Sequence, residues 1–136
     1  MNDTRFVHVA VNCKNIQTII DFYGKYFGFE VVRRIPLGPN KEIAFVKNHQ
    51  GVYLELFNVE SELPYPAFVA DGPTWQGLRH IAFQVDSLDE KLKELGSAAP
   101  ITLGPMGFDD FIKGWKTAWV KDPEGNIIEI SEGYHD

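Results

Sequence analysis

The strongest constraint on the fold of this chain is that its sequence repeats itself. The stretch AFVKNHQGVYLELF from Ala44 aligns without a gap with AWVKDPEGNIIEIS from Ala118, at an offset of 118 − 44 = 74 residues. FVHVAV from Phe6 aligns with LRHIAF from Leu78, at an offset of 78 − 6 = 72. Chance similarity between apolar strands is the simpler explanation, but both copies carry a histidine early and a glutamate late. Two tandem units are therefore indicated, each small for a stable core of its own.

The first unit, residues 4–58, is predicted to have the element order β-α-β-β-β. Alternating apolar residues indicate strands, and apolar residues spaced by three or four indicate a helix. Asn15 is the predicted N-cap of that helix, and Gly28 is predicted to end it. The strands are predicted at residues 4–12, 29–35, 41–48 and 51–58.

The second unit, residues 78–132, is predicted to repeat this order. A capping box of Ser87 and Glu90 begins its helix, and Gly96 ends it. A first strand is predicted at 78–86, and the last three include 116–121 and 126–132, which flank a type I turn at Asp122-Pro123-Glu124-Gly125. Residues 59–77 hold three prolines and no clear periodicity, so they are predicted to be a linker within a single domain spanning residues 1–136.

Composition narrows the class of protein. With 136 residues, 44% hydrophobic and 24% charged, the chain is typical of one globular domain. Its net charge, 13 − 19 = −6, disfavours binding to nucleic acid or to anionic membranes. The single cysteine, Cys13, excludes an intrachain disulfide and is expected to be buried. No signal peptide or membrane span is predicted, so a cytoplasmic protein is expected.

The repeated histidines and glutamates are the candidate functional residues. Strand alternation allows His8 to share a face with Glu55, and it places Glu129 among apolar residues, where a lone carboxylate is destabilising. Together with His80, these residues supply two imidazoles and two carboxylates, a set that suits divalent nickel, zinc, cobalt, manganese or iron. Taken singly, a strand histidine is more often hydrogen-bonded in a core, and a strand glutamate more often faces water. The remaining histidines, His49 and His135, are expected to be solvated.

These motifs resemble the vicinal oxygen chelate superfamily, which includes glyoxalases, bleomycin resistance proteins and dioxygenases. The resemblance rests on FVHVAVN, LRHIAFQV and the closing WVKDPEGNIIEI, and it points to the glyoxalase I (lactoylglutathione lyase) branch. It implies an α+β fold in which tandem β-α-β-β-β units form a curled, eight-stranded mixed sheet around a cup. It also implies a divalent metal ion held by His8, Glu55, His80 and Glu129, and a homodimer whose sites are built within one chain or across two.

The activity implied is proton transfer next to a carbonyl of a small 2-oxo compound or its thiol adduct, through an enediolate that the metal stabilises. Glu129 is the expected base, and Glu55 is the alternate. Glutamate at position 55 favours a glyoxalase, because related epimerases commonly carry glutamine there, and extradiol dioxygenases and fosfomycin resistance enzymes use only one carboxylate. Asn12 departs from the arginine that bacterial glyoxalase I enzymes tend to use for binding glutathione. The resemblance therefore does not identify the thiol that forms the substrate adduct.

Two alternatives to the lyase remain. One is a non-catalytic or resistance-type binding protein that holds an aromatic ligand among Phe6, Tyr53, Phe57 and Trp119. The other is an extradiol-type dioxygenase or an epimerase. The stretch at residues 105–114 is either a lid over the cup or a plain surface loop.

Overall fold

The computed structural model describes residues 2–136, and these contain eight strands and two α-helices. The elements are β1 (His8–Cys13), α1 (Ile16–Phe27), β2 (Glu30–Gly38), β3 (Lys41–Lys47), β4 (Tyr53–Asn58), β5 (Ile81–Gln84), α2 (Leu88–Leu95), β6 (Ile101–Gly107), β7 (Lys116–Lys121) and β8 (Ile127–Glu132). The predicted α+β class and the tandem β-α-β-β-β order are confirmed. The eight strands are divided between two four-stranded mixed sheets.

The two units are built to the same topology. The chain divides into two compact units after Glu62. The first sheet has the strand order β1-β4-β3-β2, and the second has the order β5-β8-β7-β6. In each sheet the first strand of the unit lies parallel to its last, and the other neighbours are antiparallel. Residues far apart in sequence, at the start and the end of one unit, therefore become neighbours.

Local signals in the sequence set the helix ends. The side chain of Asn15 accepts a hydrogen bond from the backbone N–H of Thr18, and Gly28 ends α1 in the left-handed conformation with φ 69°. The side chain of Ser87 accepts from the N–H of Glu90, and Gly96 follows the last residue of α2. The predicted caps are confirmed at both helices.

The turns before β4 and β8 are also equivalent. The N–H of Gly125 donates to the carbonyl oxygen of Asp122 at 3.0 Å, as the predicted four-residue turn requires. The carboxylate of Asp122 accepts from two further backbone N–H groups, and Asn48 does the same in the first unit. Both hairpins are thus closed by one buried polar side chain at the repeat position.

The core of each unit lies between its sheet and its helix. Leu54 and Leu56 of β4 are buried, as are Ile128 and Ile130 of β8. Because side chains alternate along a strand, Glu55 and Glu129 are directed to the opposite face of their sheets. Neither helix of residues 2–136 is long and apolar enough to cross a membrane.

Several predicted strand limits are wrong. β4 begins at Tyr53 rather than at residue 51, and β5 spans only Ile81–Gln84 rather than 78–86. β1 begins at His8 rather than at residue 4, because its first pairing partner, Tyr53, is the first residue of β4. β2 continues to Gly38 rather than ending at residue 35, because it stays paired with β3 as far as Lys41.

Candidate metal and active site

A histidine and a glutamate meet in the first unit. Ala10 is the pairing partner of Glu55 across the parallel strands β1 and β4, and His8 lies two residues earlier on the same face. The two side chains approach each other, with Nε2 of His8 2.7 Å from Oε2 of Glu55. The histidine side chain is 36% exposed and the glutamate side chain is 15% exposed. The predicted common face of these two residues is therefore observed.

The second unit repeats this pair. Ala82 is the pairing partner of Glu129, and His80 again lies two residues earlier. Nε2 of His80 is 2.7 Å from Oε2 of Glu129, the same distance as in the first unit. This second pair is better shielded, because the side chains are 18% and 13% exposed. Each unit thus presents one imidazole nitrogen and one carboxylate at hydrogen-bonding distance.

Each unit contains one His–Glu pair as its candidate set of metal-binding groups. Within residues 2–136, no group of three or more His, Cys, Asp or Glu side chains is placed to hold a metal ion. Each unit brings together one neutral and one anionic donor. An imidazole nitrogen and a carboxylate oxygen are both donor types that bind divalent first-row metals.

The ring of His80 is oriented by a carbonyl group. Nδ1 of His80 lies 2.6 Å from the backbone oxygen of Asp71. A carbonyl oxygen only accepts, so Nδ1 carries the hydrogen and donates it. In the neutral ring, Nε2 then presents a lone pair to the carboxylate of Glu129. Two acceptors at 2.7 Å need a shared proton or a cation between them. An imidazole held through its other nitrogen is also the usual arrangement of a metal-ligating histidine.

A short segment before β5 supports this carbonyl. The guanidinium of Arg79 donates to the carboxylate of Asp71 at 2.6 Å. The backbone approaches closely here, because a Cβ on Gly72 would lie 2.3 Å from the carbonyl oxygen of Arg79. Gly72 also has a φ of 124°, which other residues rarely adopt. Sequence analysis missed the role of Asp71 and Gly72, since both fall in the segment interpreted only as a linker.

The carboxylate of Glu129 is held by a hydroxyl group. Oγ1 of the buried Thr117 lies 3.1 Å from Oε1 of Glu129 and 2.8 Å from the backbone oxygen of Ile130. The equivalent position in the first unit, 117 − 74 = 43, is Ile43, which has no hydroxyl. The two pairs therefore differ in their surroundings although they share their geometry.

An aromatic ring packs edge-on against each histidine. The ring centroid of Phe45 lies 6.2 Å from that of His8, with an angle of 82° between the planes. Trp119, at the repeat-equivalent position, lies 6.3 Å from His80 at 65°. Of the other residues proposed for an apolar cup, Tyr53 and Phe57 are half-buried, whereas Phe6 is 75% exposed.

The remaining candidates fall outside these pairs. Cys13 is fully buried, as predicted, and His49 and His135 are exposed. Asn12 is exposed on the same alternating face of β1 as His8. Residues 105–107 of the candidate lid belong to β6, so only 108–114 form a loop between β6 and β7.

Comparison with known proteins places the chain in a superfamily. Residues 5–130 match the family model of the Glyoxalase/Bleomycin resistance protein/Dioxygenase superfamily, so the chain belongs to that superfamily. It is 29% identical over 133 residues to lactoylglutathione lyase of Escherichia coli O157:H7, covering 94% of this chain and 92% of the relative. It is also 29% identical over 129 residues to a probable trivalent organoarsenical cleaving enzyme of Bacillus subtilis (strain 168), covering 93% and 78%.

The solved structures include a glyoxalase family protein from Enterococcus faecalis. It superposes with a TM-score of 0.70 at 31% identity, covering 94% of this chain and 97% of that one. The resemblance inferred from the histidine strands and the closing hairpin is therefore confirmed at the level of the superfamily. Because relatives of equal identity carry different activities, the reaction has to be inferred from the residues of the site.

Proposed function

We propose that the protein is a glyoxalase I-like lyase or isomerase that depends on a divalent metal ion. Its reaction moves a proton between adjacent carbons of a small 2-oxo compound or its thiol adduct. One observation carries this proposal. The His80–Glu129 pair is set at 2.7 Å with the other ring nitrogen committed to Asp71, and the first unit repeats the pair at the same distance.

The four residues of the pairs are the proposed metal ligands: His8, Glu55, His80 and Glu129. Two neutral and two anionic donors fit nickel, zinc, cobalt, manganese or iron in the divalent state. When bound, such an ion acts as a Lewis acid that polarises the substrate carbonyl and makes the neighbouring C–H bond more acidic.

Glu129 is the proposed base. Its Oε2 removes the proton from one carbon and returns it to the next, so the reaction needs no other reactant. Thr117 stays bonded to Oε1 at 3.1 Å and keeps the carboxylate oriented during the transfer. Glu55 is the alternate base, because its carboxylate has the same position relative to its own histidine.

The proposal is tested by metal analysis of matched histidine variants. We expect the purified protein to take up stoichiometric divalent metal, and His80→Gln and His8→Gln to lose affinity for it. The loss should exceed the roughly 10- to 100-fold change typical of residues around a ligand shell. His49→Gln is the control, because His49 is exposed and outside both pairs. Metal uptake that is absent, or unchanged in His80→Gln, contradicts the metal site.

Activity is tested on the metal-loaded protein. The substrates to compare are hemithioacetals of methylglyoxal with glutathione, bacillithiol and other thiols. Several thiols are needed because Asn12 does not match the pattern that binds glutathione. We expect isomerisation of at least one and its loss in Glu129→Gln. Metal binding without isomerisation of any of them favours the resistance-type binding protein instead.

We also propose a homodimer, on the strength of the edge strand β2. All nine residues of β2 are exposed in the single chain, and they include Val31, Val32 and Leu37 at 43%, 51% and 57% exposure. Apolar side chains exposed on an edge strand favour association with another chain, and in β2 they stand beside Arg33 and Arg34. A second copy of this chain is the proposed partner. Sedimentation equilibrium should give a dimer for the wild type and a monomer for Val32→Lys, and a monomeric wild type overturns the proposal.

A further inference from the structure

One buried indole N–H group in the second unit has no hydrogen-bond partner in the described part of the chain. Among the described residues, 2–136, the indole Nε1 of Trp119 is the one buried side-chain nitrogen or oxygen for which the structure gives no hydrogen-bond partner. Trp119 is 7% exposed. By contrast, Nε1 of Trp115 donates to the hydroxyl of Ser131 at 2.8 Å. Because buried N–H groups in proteins are almost always bonded, the exception at Trp119 calls for an acceptor.

Trp119 lies next to the proposed base. It is the pairing partner of Glu129 across β7 and β8, so both side chains lie on the same face of the sheet. Its ring also contacts the ring of His80 edge-on, at 6.3 Å. The unbonded donor is therefore part of the surroundings of the His80–Glu129 pair.

The repeat shows that contact with the histidine does not require the N–H group. In the first unit the equivalent residue is Phe45, since 119 − 74 = 45, and its ring contacts His8 with similar geometry, at 6.2 Å. A phenyl ring is thus sufficient to pack against the histidine. The indole N–H is an addition to the second unit that side-chain packing does not explain.

We infer that Trp119 is a substrate-binding residue whose indole N–H donates a hydrogen bond to an oxygen of the bound substrate. This inference rests on the proposed function, because the acceptor is a carbonyl or carboxylate oxygen of the 2-oxo compound held at the His80–Glu129 pair. A shielded donor gains most from an acceptor on which negative charge develops. Phe108, whose ring packs edge-on against Trp119 at 6.5 Å, starts the 108–114 loop, and a shift of that loop would admit the substrate oxygen.

The matched variant is Trp119→Phe, which reproduces the residue found at Phe45. The probe is acetohydroxamate, a small planar compound with two adjacent oxygens, added to the zinc-loaded protein. We expect Trp119→Phe to bind it about 10- to 100-fold more weakly, the loss expected for a hydrogen bond to a charged acceptor. Trp115→Phe is the control, because it also loses an indole N–H but one already bonded to Ser131. It should keep the wild-type affinity.

A second measurement detects the proposed hydrogen bond directly, in the zinc-loaded wild-type protein. In the ¹⁵N-labelled wild type, the indole N–H signals of the three tryptophans are assigned from single Trp→Phe variants. Addition of acetohydroxamate should move the Trp119 proton signal downfield and slow its exchange with water, while the Trp115 signal stays in place.

The outcomes separate this inference from the proposed function. If zinc and acetohydroxamate bind the wild type, but Trp119→Phe binds the probe equally and the Trp119 signal does not move, the inference alone is wrong. If the wild type binds no zinc, the proposed function is wrong, and the substrate contact is overturned with it. A weaker probe affinity in Trp119→Phe together with the shifted signal supports the inference.

Discussion

The buried hydroxyl of Thr117 lies between two acceptors, 3.1 Å from Oε1 of Glu129 and 2.8 Å from the backbone oxygen of Ile130. A hydroxyl group has one proton to donate, so these acceptors compete for it. Whenever the carboxylate gains negative charge, the hydroxyl bonds to it more strongly. Thr117 therefore links the charge of Glu129 to the backbone of β8.

Thr117→Val should impair the site more than the fold. Valine keeps the shape of threonine and removes the hydroxyl, so we expect metal affinity or turnover to fall by about 10- to 100-fold. The free energy of unfolding should fall by only about 1 kcal/mol for the lost hydrogen bond. Ile43→Val, at the equivalent position of the first unit, is the control. Wild-type turnover and metal affinity in Thr117→Val would show that the hydroxyl has no part in the site.

Gly72→Ala should displace His80. A Cβ at this position would lie 2.3 Å from the carbonyl oxygen of Arg79, the residue before His80, so the backbone there must shift. We expect metal affinity, measured by titration calorimetry, to fall by roughly 10- to 100-fold.

Gly77→Ala is the matched control for this substitution. Gly77 has a similar φ, 134° against 124°, but no non-neighbouring atom of residues 2–136 lies within 4 Å of its added Cβ. Both variants strain the backbone, and only Gly72→Ala creates the clash. Equal metal affinities in the two variants would assign the effect to strain alone.

Glu132 makes part of the stability dependent on pH. The backbone N–H of Leu88, at the start of α2, donates to its carboxylate at 2.7 Å, and Lys116 lies 3.2 Å away. The N–H of Leu88, with a smaller contribution from Lys116, holds the pKa of Glu132 below its ordinary value of 4.5. A lowered pKa in the folded state means that the contribution is fully present above pH 4.5 and is lost as the pH falls through the folded value.

Glu132→Gln should therefore be less stable than the wild type at pH 7, and the difference should shrink as the solution is acidified below pH 4.5. Urea unfolding at a series of pH values measures this difference in the free energy of unfolding. Glu60→Gln, at an exposed position, is the control and should show no such convergence. A constant difference between wild type and Glu132→Gln at every pH would mean that the charge of Glu132 does not stabilise α2.

Leu56 and Ile130 test whether the repeat extends to the energetics of the core. They are repeat-equivalent, since 130 − 56 = 74, and both are fully buried. Leu56→Ala and Ile130→Ala should each lower the free energy of unfolding by about 2–5 kcal/mol. Val69→Ala, at a position 66% exposed, should change it by less than about 0.5 kcal/mol. Calorimetric melting of the three variants checks the comparison.

Most of the fold could be predicted because its signals are local and occur twice. Asn15, Gly28 and Ser87 act within one turn of chain, and the repeat supplied a second copy of each strand pattern. The strand limits were less accurate, because a strand begins where its partner begins. Tyr53 decides the start of β1, although it lies 53 − 8 = 45 residues after its partner His8.

The site was predictable in part for the same reason. Alternation predicted that His8 and Glu55 could share a face and that Glu129, among apolar residues, needed a partner, and the observed pairs agree with both. The hydrogen bond that orients His80 could not be predicted from the sequence. Asp71 accepts it through its backbone carbonyl, a group that every residue type has. The close approach at Gly72 has no periodic signature either, and only the folded chain reveals it.

The two units carry the same pair of polar groups, and their neighbours differ: Thr117 stands opposite Ile43 in the alignment, and Trp119 opposite Phe45. The hydroxyl of Thr117 and the indole of Trp119 lie beside Glu129, and the aligned positions beside Glu55 carry neither group. The duplicated framework therefore holds two chemically unequal carboxylates, so the surroundings of one proton acceptor can change while those of the other stay the same.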